Sequence, residues 1–266
     1  MYLLGFIGVG NMGGALARAA CAATSPDQIV VSNRTAPKAA ALAAELGCDA
    51  GSVEEVARQA KYIFLGVKPK DMAACLAFIA PLLKARQDRF VLVSMAAGLD
   101  TAAVQTMAGA DYPVIRLCPN TPVAMGCGLV AWCAKDTTEE EDAALAAHMA
   151  GAGLWDKCPE SLMDIASVLG GCTPAFAYMF IEALSDGAVA CGMPRAQALA
   201  YAAAAVEGAA ALCAADGRHP GALKDAVCSP GGSTIQGVLT LEDKGFRSAA
   251  SRAIIAAVEK TKTMAK

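Results

Sequence analysis

Residues 3–13 of the 266-residue chain read Leu3-Leu4-Gly5-Phe6-Ile7-Gly8-Val9-Gly10-Asn11-Met12-Gly13, an apolar run that leads directly into spaced glycines. The last six residues have the G-x-G-x-x-G spacing, and helical periodicity follows over residues 12–23. A strand, a glycine turn and a helix N-terminus in this order present backbone N–H groups to an anion. The stretch therefore predicts a dinucleotide site at the start of an α/β domain.

The three glycines of this turn have different predicted tasks. Gly8 would allow the tight turn, Gly10 would let a pyrophosphate approach the backbone, and Gly13 would let helix and strand pack closely. The alternative is an ordinary strand-to-helix turn that uses glycine for its geometry alone. The predicted cofactor contacts here are Ile7, Gly8, Val9, Gly10, Asn11, Met12 and Gly13.

Two regions of different character follow one another along the chain. Up to about residue 157, β-rich runs alternate with alanine-rich helical stretches, which predicts a doubly wound, Rossmann-type parallel sheet. Beyond residue 162 only helical patterns continue, separated by Gly- and Pro-containing turns at 171–174, 192–194, 217–220 and 229–232. We therefore expect an NADP-binding Rossmann domain over residues 1–160 and an all-helical domain over 161–266.

The end of the predicted second strand indicates which dinucleotide binds. An acidic residue there would accept hydrogen bonds from the ribose of NAD, but the sequence is Ser32-Asn33-Arg34-Thr35. A guanidinium pairs well with a 2′-phosphate, so Asn33, Arg34 and Thr35 favour NADP(H), with NAD(H) as a weaker alternative. Alternatively, Arg34 is a solvated loop charge.

Composition narrows the class of protein. With 22 basic against 25 acidic residues the net charge is −3, and no basic run is present, which argues against a nucleic-acid partner. The most apolar segment, residues 196–215, contains Gln197, Glu207 and Gly208, and is predicted to be a buried helix rather than a membrane span. Residues 1–9 lack a basic n-region, so we expect a cytoplasmic protein.

Cysteine and histidine do not indicate a metal or disulfide framework. The eleven cysteines form no C-x-x-C pair, and the only histidines are His148 and His219. We therefore expect no metal site, and we interpret the cysteines as small, reduced core residues of a cytoplasmic protein.

Four further segments carry a resemblance to a known family. They are Val67-Lys68-Pro69-Lys70, Ser94-Met95-Ala96-Ala97-Gly98, the run Arg116-Leu-Cys-Pro-Asn-Thr-Pro122, and the run from His219 to Thr234, His-Pro-Gly-Ala-Leu-Lys-Asp-Ala-Val-Cys-Ser-Pro-Gly-Gly-Ser-Thr. Together with the glycine turn, they resemble pyrroline-5-carboxylate reductases over essentially the whole chain. Two departures from the family pattern are Gly170 to Thr173 and Arg218, where polar or acidic residues are common.

The resemblance implies NADPH-dependent reduction of 1-pyrroline-5-carboxylate to L-proline by hydride transfer, with a helical domain that dimerises. It places Val67, Lys68, Pro69, Ala96, Ala97 and Gly98 at the nicotinamide half of the cofactor. Substrate contacts implied in the same way are Glu160, Val227, Cys228, Ser229, Gly232, Ser233 and Thr234. Lys68 and Thr234 are the predicted catalytic residues.

The residues support a small anionic substrate independently of the resemblance. The run Ser229 to Thr234 precedes a helical pattern and offers consecutive backbone N–H groups to a carboxylate. The hydroxyl of Thr234 would lie near the ring nitrogen of the imine. Alternatively, Ser233 or Thr234 is only an N-cap, Lys68 only shapes the turn before Pro69, and His219 starts a helix rather than shuttling a proton.

Two other functions stay open at this stage. A β-hydroxyacid dehydrogenase or related imine reductase combines the same domain types, but the acid dehydrogenases use a lysine in their helical domain, and residues 162–213 contain none. A non-catalytic NADP-sensing module would not need the second glycine-rich site. In every case the alanine-rich helices predict a homodimer or larger homo-oligomer.

Overall fold

The computed structural model describes residues 1–264. Contacts divide the chain into two compact units, one formed by Met1–Gly171 with the residues from Lys260 onward, and one formed by Cys172–Glu259. The predicted boundary at residue 160 stays a prediction.

The first unit is built on a single sheet. Within the described residues its strands are β1 (Tyr2–Ile7), β2 (Ile29–Ser32), β3 (Asp49–Ala50), β4 (Ala60–Leu65), β5 (Val91–Ser94), β6 (Val114–Pro119), β7 (Gly128–Lys135) and β8 (Gly153–Lys157). The strand order is β3-β2-β1-β4-β5-β6-β7-β8, and β1 to β6 are parallel. The predicted Rossmann-type fold is thus confirmed, although β7 runs antiparallel to β6 and β8 parallel to β7.

Helices connect these strands on both faces of the sheet. They are α1 (Asn11–Ala23), α2 (Ala36–Leu46), α3 (Val53–Gln59), α4 (Pro69–Lys84), α5 (Thr101–Ala108) and α6 (Glu139–His148). The start of α6 is a capping box in which Thr138 accepts from the Glu141 N–H and Glu141 accepts from the Thr138 N–H. The N-cap of α6 is therefore Thr138.

Alternate residues of each strand enter two separate cores. On one face, Leu4, Phe6 and Phe64 pack with side chains of α1, α2 and α6, and the rings of Phe6 and Phe64 stack at 4.3 Å. On the other face, Ile63 and Leu65 pack with side chains of α3, α4 and α5. Each fully buried side chain of this size contributes about 1.5–3 kcal/mol. The covered faces leave the strand ends as the place for a ligand.

The second unit is helical, as predicted. Its helices are the continuation of α7 (Met163–Ala190), then α8 (Arg195–Asp216), α9 (Pro220–Ala226), α10 (Ser233–Asp243) and α11 (Phe246–Met264). Inside it, Phe180 of α7 packs on Phe246 of α11 with ring centroids 5.6 Å apart. The buried hydroxyl of Ser185 accepts a hydrogen bond of 2.9 Å from Arg195 at the start of α8.

The predicted turn at residues 171–174 is wrong, because α7 continues through Pro174. A proline inside a helix has no N–H for the carbonyl four residues earlier, which here belongs to Gly170. The side-chain amide of Asn120 donates to that carbonyl at 3.2 Å. The hydrogen bond that the helix lacks is thus replaced by one from the turn after β6.

Large apolar faces of α7 and α8 are uncovered in a single chain. By length and composition alone, residues 160–190 and α8 are long and apolar enough to span a membrane, with mean hydropathies of 1.3 and 1.6. Only 11% of each qualifying window is buried, and Met179 and Leu212 are among the exposed side chains. Helices that pack in a soluble assembly meet the same criteria, so length and composition alone do not distinguish a membrane span from a packed helix.

The cysteines are less uniform than predicted. All eleven are free thiols; Cys118 and Cys133 are buried, whereas Cys127 and Cys191 are exposed within one chain. The interpretation as core residues is right for the first two and wrong for the exposed pair. Among residues 1–264, no three His, Cys, Asp or Glu side chains form a group that could hold a metal ion.

Candidate active site

The carboxyl ends of neighbouring strands lie level with one another. Ile7 of β1 pairs with Ser32 of β2 and with Leu65 of β4, and Leu65 pairs with Ser94 of β5. The loops that follow these strands therefore leave the sheet at one edge. Ligands of open α/β sheets bind at this edge where the strand order reverses, which here is between β1 and β4.

The glycine turn after β1 has the geometry that its sequence predicts. Gly8 has φ +97°, a conformation that L side chains rarely adopt, and its N–H donates to the Ser32 carbonyl at 2.8 Å. A Cβ at Gly13 would lie 2.1 Å from the Gly8 carbonyl oxygen, so only glycine lets α1 approach the turn this closely. At Gly10, in contrast, a Cβ would meet no atom within 4 Å.

The N-terminus of α1 is suited to an anion. Its N-cap is Gly10, which offers no side-chain oxygen, and the first turn contains no acidic residue. The first N–H groups of the helix therefore have no side-chain acceptor, and the open space at Gly10 lies where a pyrophosphate would approach. The residues present fit a dinucleotide.

Gly66 is a site residue that the sequence analysis missed. It follows β4 directly, its N–H donates to the Ile7 carbonyl, and a Cβ there would lie 2.1 Å from the Gly8 carbonyl oxygen. The turn after β4 thus packs directly against the backbone of the glycine turn. The signal in the sequence was a glycine between a buried strand and the resemblance segment that begins at Val67.

The turn after β2 links the predicted adenosine end of the site to the glycine turn. The Asn33 amide accepts from the Val9 N–H and donates to the Thr35 carbonyl, both at 3.3 Å. The side-chain oxygen and nitrogen of Asn33, which the sequence predicted to contact the cofactor, therefore hydrogen-bond to the backbone of the two turns. Arg34 is exposed, and no acidic side chain pairs with it in the described part of the chain, so its charge is available to a phosphate.

Thr35 is the N-cap residue of α2, but its side chain makes no capping hydrogen bond. Its hydroxyl is exposed beside Arg34. The pair therefore presents a guanidinium and a hydroxyl at the end of β2.

The loops after β4 and β5 hold the residues that the resemblance places at the nicotinamide. Lys68 is the N-cap residue of α4, where its carbonyl accepts from the Asp71 N–H at 2.8 Å and its side chain is exposed. Ala96 is buried, Ala97 and Gly98 are exposed, and Gly98 has φ +77°. Backbone hydrogen bonding after β4 and the positive φ of Gly98 after β5 thus set the shapes of the two loops. The exposed Lys68 side chain adds a positive charge to the loop after β4.

Glu160 is engaged within the first unit. Its Oε1 accepts from the Thr101 N–H at 2.8 Å, and its Oε2 accepts from the Thr101 hydroxyl at 3.0 Å. The guanidinium of Arg116 lies 3.8 Å from Oε1. The carboxylate that the resemblance assigns to the substrate therefore already has partners at the N-terminus of α5.

The predicted substrate segment, residues 227–234, comprises the connection between α9 and α10 and the first two residues of α10, in the second unit. Gly231 has φ +70°, and the Gly232 N–H donates to the Ser229 carbonyl at 3.0 Å. A Cβ at Gly232 would lie 2.4 Å from the Ser229 hydroxyl oxygen. The positive φ thus requires glycine at 231, whereas a Cβ at 232 would need the Ser229 side chain to rotate away.

The capping alternative for Ser233 and Thr234 is wrong. Helix α10 begins at Ser233 with Gly232 as its N-cap, and no side chain caps it. Both hydroxyl-bearing residues are exposed in the first turn beside free backbone N–H groups. Val227 is exposed and Cys228 half-buried just before this turn.

His219 is confirmed as a helix-start residue. It is the N-cap of α9, and its Nδ1 accepts from the Gly221 N–H at 3.0 Å. The neighbouring Arg218 pairs with Asp216.

A Rossmann sheet with a glycine turn and an uncapped helix N-terminus is typical of a dinucleotide-binding domain. In agreement, residues 3–98 match the family described as NADP oxidoreductase, coenzyme F420-dependent. Residues 160–264 match the family described as pyrroline-5-carboxylate reductase dimerisation.

Full-length relatives name the family. A pyrroline-5-carboxylate reductase of Escherichia coli is 40% identical to this chain, with 99% of this chain and 98% of the relative covered. The solved pyrroline-5-carboxylate reductase of Coxiella burnetii is 25% identical with a TM-score of 0.92, covering 100% and 99% of the two chains. The pyrroline carboxylate reductase of Plasmodium falciparum, solved with NADP bound, is 29% identical with a TM-score of 0.85, covering 100% and 98%.

The chain belongs to the pyrroline-5-carboxylate reductase family. The predicted enzyme class and the predicted NADP cofactor are confirmed at the level of the family.

Proposed function

We propose that this chain reduces 1-pyrroline-5-carboxylate to L-proline with NADPH. The observation that carries the proposal is the turn at residues 229–234, which offers an uncapped helix N-terminus and two exposed hydroxyls in a full-length relative of the reductases. A cyclic imino acid has one carboxylate and one ring nitrogen. This turn supplies donors for the first and a hydroxyl for the second.

Residues of the first unit would hold the cofactor. The N–H groups at the start of α1 face the pyrophosphate, and Arg34 with Thr35 binds the 2′-phosphate. The loops that contain Val67, Lys68 and Pro69, and Ala96, Ala97 and Gly98, would hold the nicotinamide half. When bound, NADPH supplies the hydride.

The chain needs no strong acid for the transfer itself. A protonated imine is already electrophilic, and reduction of its C=N bond by a hydride gives the neutral amine. The protein residues therefore bind, orient and exclude water, which supplies much of the barrier reduction in such reactions. Thr234 orients the ring nitrogen, and the Lys68 charge acts on the nicotinamide half of the site.

The proposed activity separates from its alternatives by the choice of substrate. Purified protein should oxidise NADPH when 1-pyrroline-5-carboxylate is added, as followed by absorbance. The same protein with NADP⁺ should not turn over β-hydroxyacids, and thiazolidine carboxylates serve as a further reverse-direction substrate. Turnover of a hydroxyacid would favour the dehydrogenase, and NADPH binding without any turnover would favour the sensing module.

Thr234→Ala should lower kcat/KM for the imine by about tenfold or more, because the hydroxyl that orients the ring nitrogen is lost. The Kd for NADPH should not change, since Thr234 is outside the cofactor residues. Steady-state kinetics and a binding titration measure the two quantities.

Two variants control for the change at Thr234. Thr234→Ser keeps the hydroxyl and should recover most of the rate. Thr240→Ala alters a threonine on the same helix whose hydroxyl donates to the Gln236 carbonyl, and should leave kcat/KM unchanged. Near-normal turnover of Thr234→Ala would remove Thr234 from the mechanism.

We also infer a homodimer or larger homo-oligomer in the cytoplasm. The dimerisation family covers α7 to α11, and these helices include the apolar side chains that one chain leaves exposed. A second copy would cover such faces. The family relatives, the net charge of −3 and the lack of a basic run in the sequence support a protein without nucleic-acid or membrane partners.

A further inference from the structure

The N-terminus of α5 is held by two carboxylates of different origin. Asp100, the N-cap, accepts from the Ala103 N–H at 2.7 Å. Glu160 accepts from both the N–H and the hydroxyl of Thr101, and Thr101 is only 2% exposed. Asp100 belongs to the loop itself, whereas Glu160 lies 59 residues beyond Thr101 in the chain. Glu160 is therefore the contact that ties this loop end to a distant element.

We propose that Glu160 is a positioning residue for the loop at residues 95–100, and that Arg116 holds Glu160 in place. This inference rests on the proposed function, in which Ala96, Ala97 and Gly98 face the nicotinamide. It replaces the expectation that the Glu160 carboxylate binds the substrate. The role is indirect, because Glu160 contacts Thr101 and not the loop residues at the predicted nicotinamide site.

The buried guanidinium of Arg116 places a positive charge close to the Glu160 carboxylate. Its side chain is buried; Nη2 donates to Asp164 at 2.7 Å, and Nη1 lies 3.8 Å from Glu160 Oε1. Burial raises the pKa of the nearby Cys133 thiol to about 12, so this thiol stays neutral. The guanidinium is thus balanced by the carboxylates of Glu160 and Asp164. Because the guanidinium is buried, losing either carboxylate would leave it with only one anionic partner, which favours the geometry in which both stay close.

Both ends of the loop at residues 95–100 are consequently linked to Arg116 of β6. At its start, Ser94 is buried and pairs with Arg116 in the β5–β6 register. At its end, Thr101 is held by Glu160, which Arg116 approaches. Between the two anchors, Ala97 and Gly98 are exposed, and a Cβ at Gly98 would meet no atom within 4 Å. A shift of Thr101 would therefore move the loop, and small displacements at a reacting centre are costly to the rate.

Hydrogen–deuterium exchange tests the anchor without any substrate or cofactor. In Glu160→Gln, and more strongly in Glu160→Ala, amides of residues 95–103 should exchange about tenfold faster than in the unaltered chain. Thr101→Val removes the hydroxyl partner and should give a smaller increase. Glu139→Gln, at an exposed glutamate of α6, is the matched control and should change nothing in this segment. Unchanged exchange at 95–103 in Glu160→Ala would overturn the proposal.

Kinetics distinguish positioning from direct substrate binding. For Glu160→Gln we expect kcat to fall by about tenfold while KM for the imine changes less than about twofold. The deuterium isotope effect from NADPH labelled at the transferred hydride should rise, because hydride transfer becomes slower than release. A large increase in KM for the imine with kcat unchanged would instead make Glu160 a substrate ligand.

The two levels of inference fail separately. If the unaltered chain does not reduce the imine, the proposed function is wrong, and the exchange experiment still decides whether Glu160 anchors the loop. If the chain is active but loses only thermal stability in Glu160→Gln, with kcat and exchange at 95–103 unchanged, the anchor is structural and the inference is overturned.

Discussion

Gly13→Ala should weaken NADPH binding strongly and destabilise the fold, whereas Gly10→Ala should weaken binding alone. At Gly13 the added Cβ would lie 2.1 Å from the backbone oxygen of Gly8, so the turn or α1 must move. Overpacking of this kind costs about 1–3 kcal/mol. At Gly10 an added Cβ would meet no atom within 4 Å, and φ is −70°, so alanine fits the free protein. The new methyl group would meet only the incoming pyrophosphate.

Thermal unfolding and a fluorescence titration with NADPH measure the two effects. Both variants should raise the Kd by about a hundredfold or more, which corresponds to about 2.7 kcal/mol. Only Gly13→Ala should lower Tm. If Gly10→Ala bound NADPH as tightly as the unaltered chain, the glycine turn would be a structural strand-to-helix turn, the alternative that the sequence left open.

Arg34→Asp should change which dinucleotide the enzyme uses. The substitution replaces a cation that pairs with the 2′-phosphate by an anion that repels it. We expect kcat/KM with NADPH to fall by about a hundredfold, and with NADH by less than about threefold, because NADH lacks that phosphate. The KM for NADPH in the unaltered chain should rise with salt, since the contact is exposed.

Steady-state kinetics with both dinucleotides at fixed imine concentration provide the measurement. Arg58→Asp makes the same change of charge at an exposed arginine of α3 and should affect neither cofactor by more than about twofold. Equal losses with NADPH and NADH in Arg34→Asp would mean that Arg34 does not read the phosphate.

The strands that could be predicted are those buried on both faces. Residues 29–32 and 91–94 read as short apolar runs, because a parallel sheet covered by helices leaves them no polar side. β8 escaped prediction, since Gly153–Lys157 is a partly exposed strand with two charged residues. Its structure depends on pairing with β7, which local sequence does not encode.

In the candidate site, too, the local features could be predicted from the sequence and the long-range contacts could not. The glycine turn could be predicted because its requirements are local to residues 8–13. The contacts of Glu160 with Thr101 and of Asn120 with Gly170 could not, because each joins side chain to backbone across 50 residues or more. The cap of α10 was misjudged by a single residue, and propensity does not resolve helix ends that finely.

Asn33 gives the site a property that neither of its turns has alone. One amide holds the Val9 N–H and the Thr35 carbonyl, so restricting either turn restricts the other. We therefore expect a ligand that orders one turn to lower the entropy cost of ordering the other. The pyrophosphate and the 2′-phosphate of the dinucleotide would then be coupled in binding through a neutral side chain that need not touch either of them.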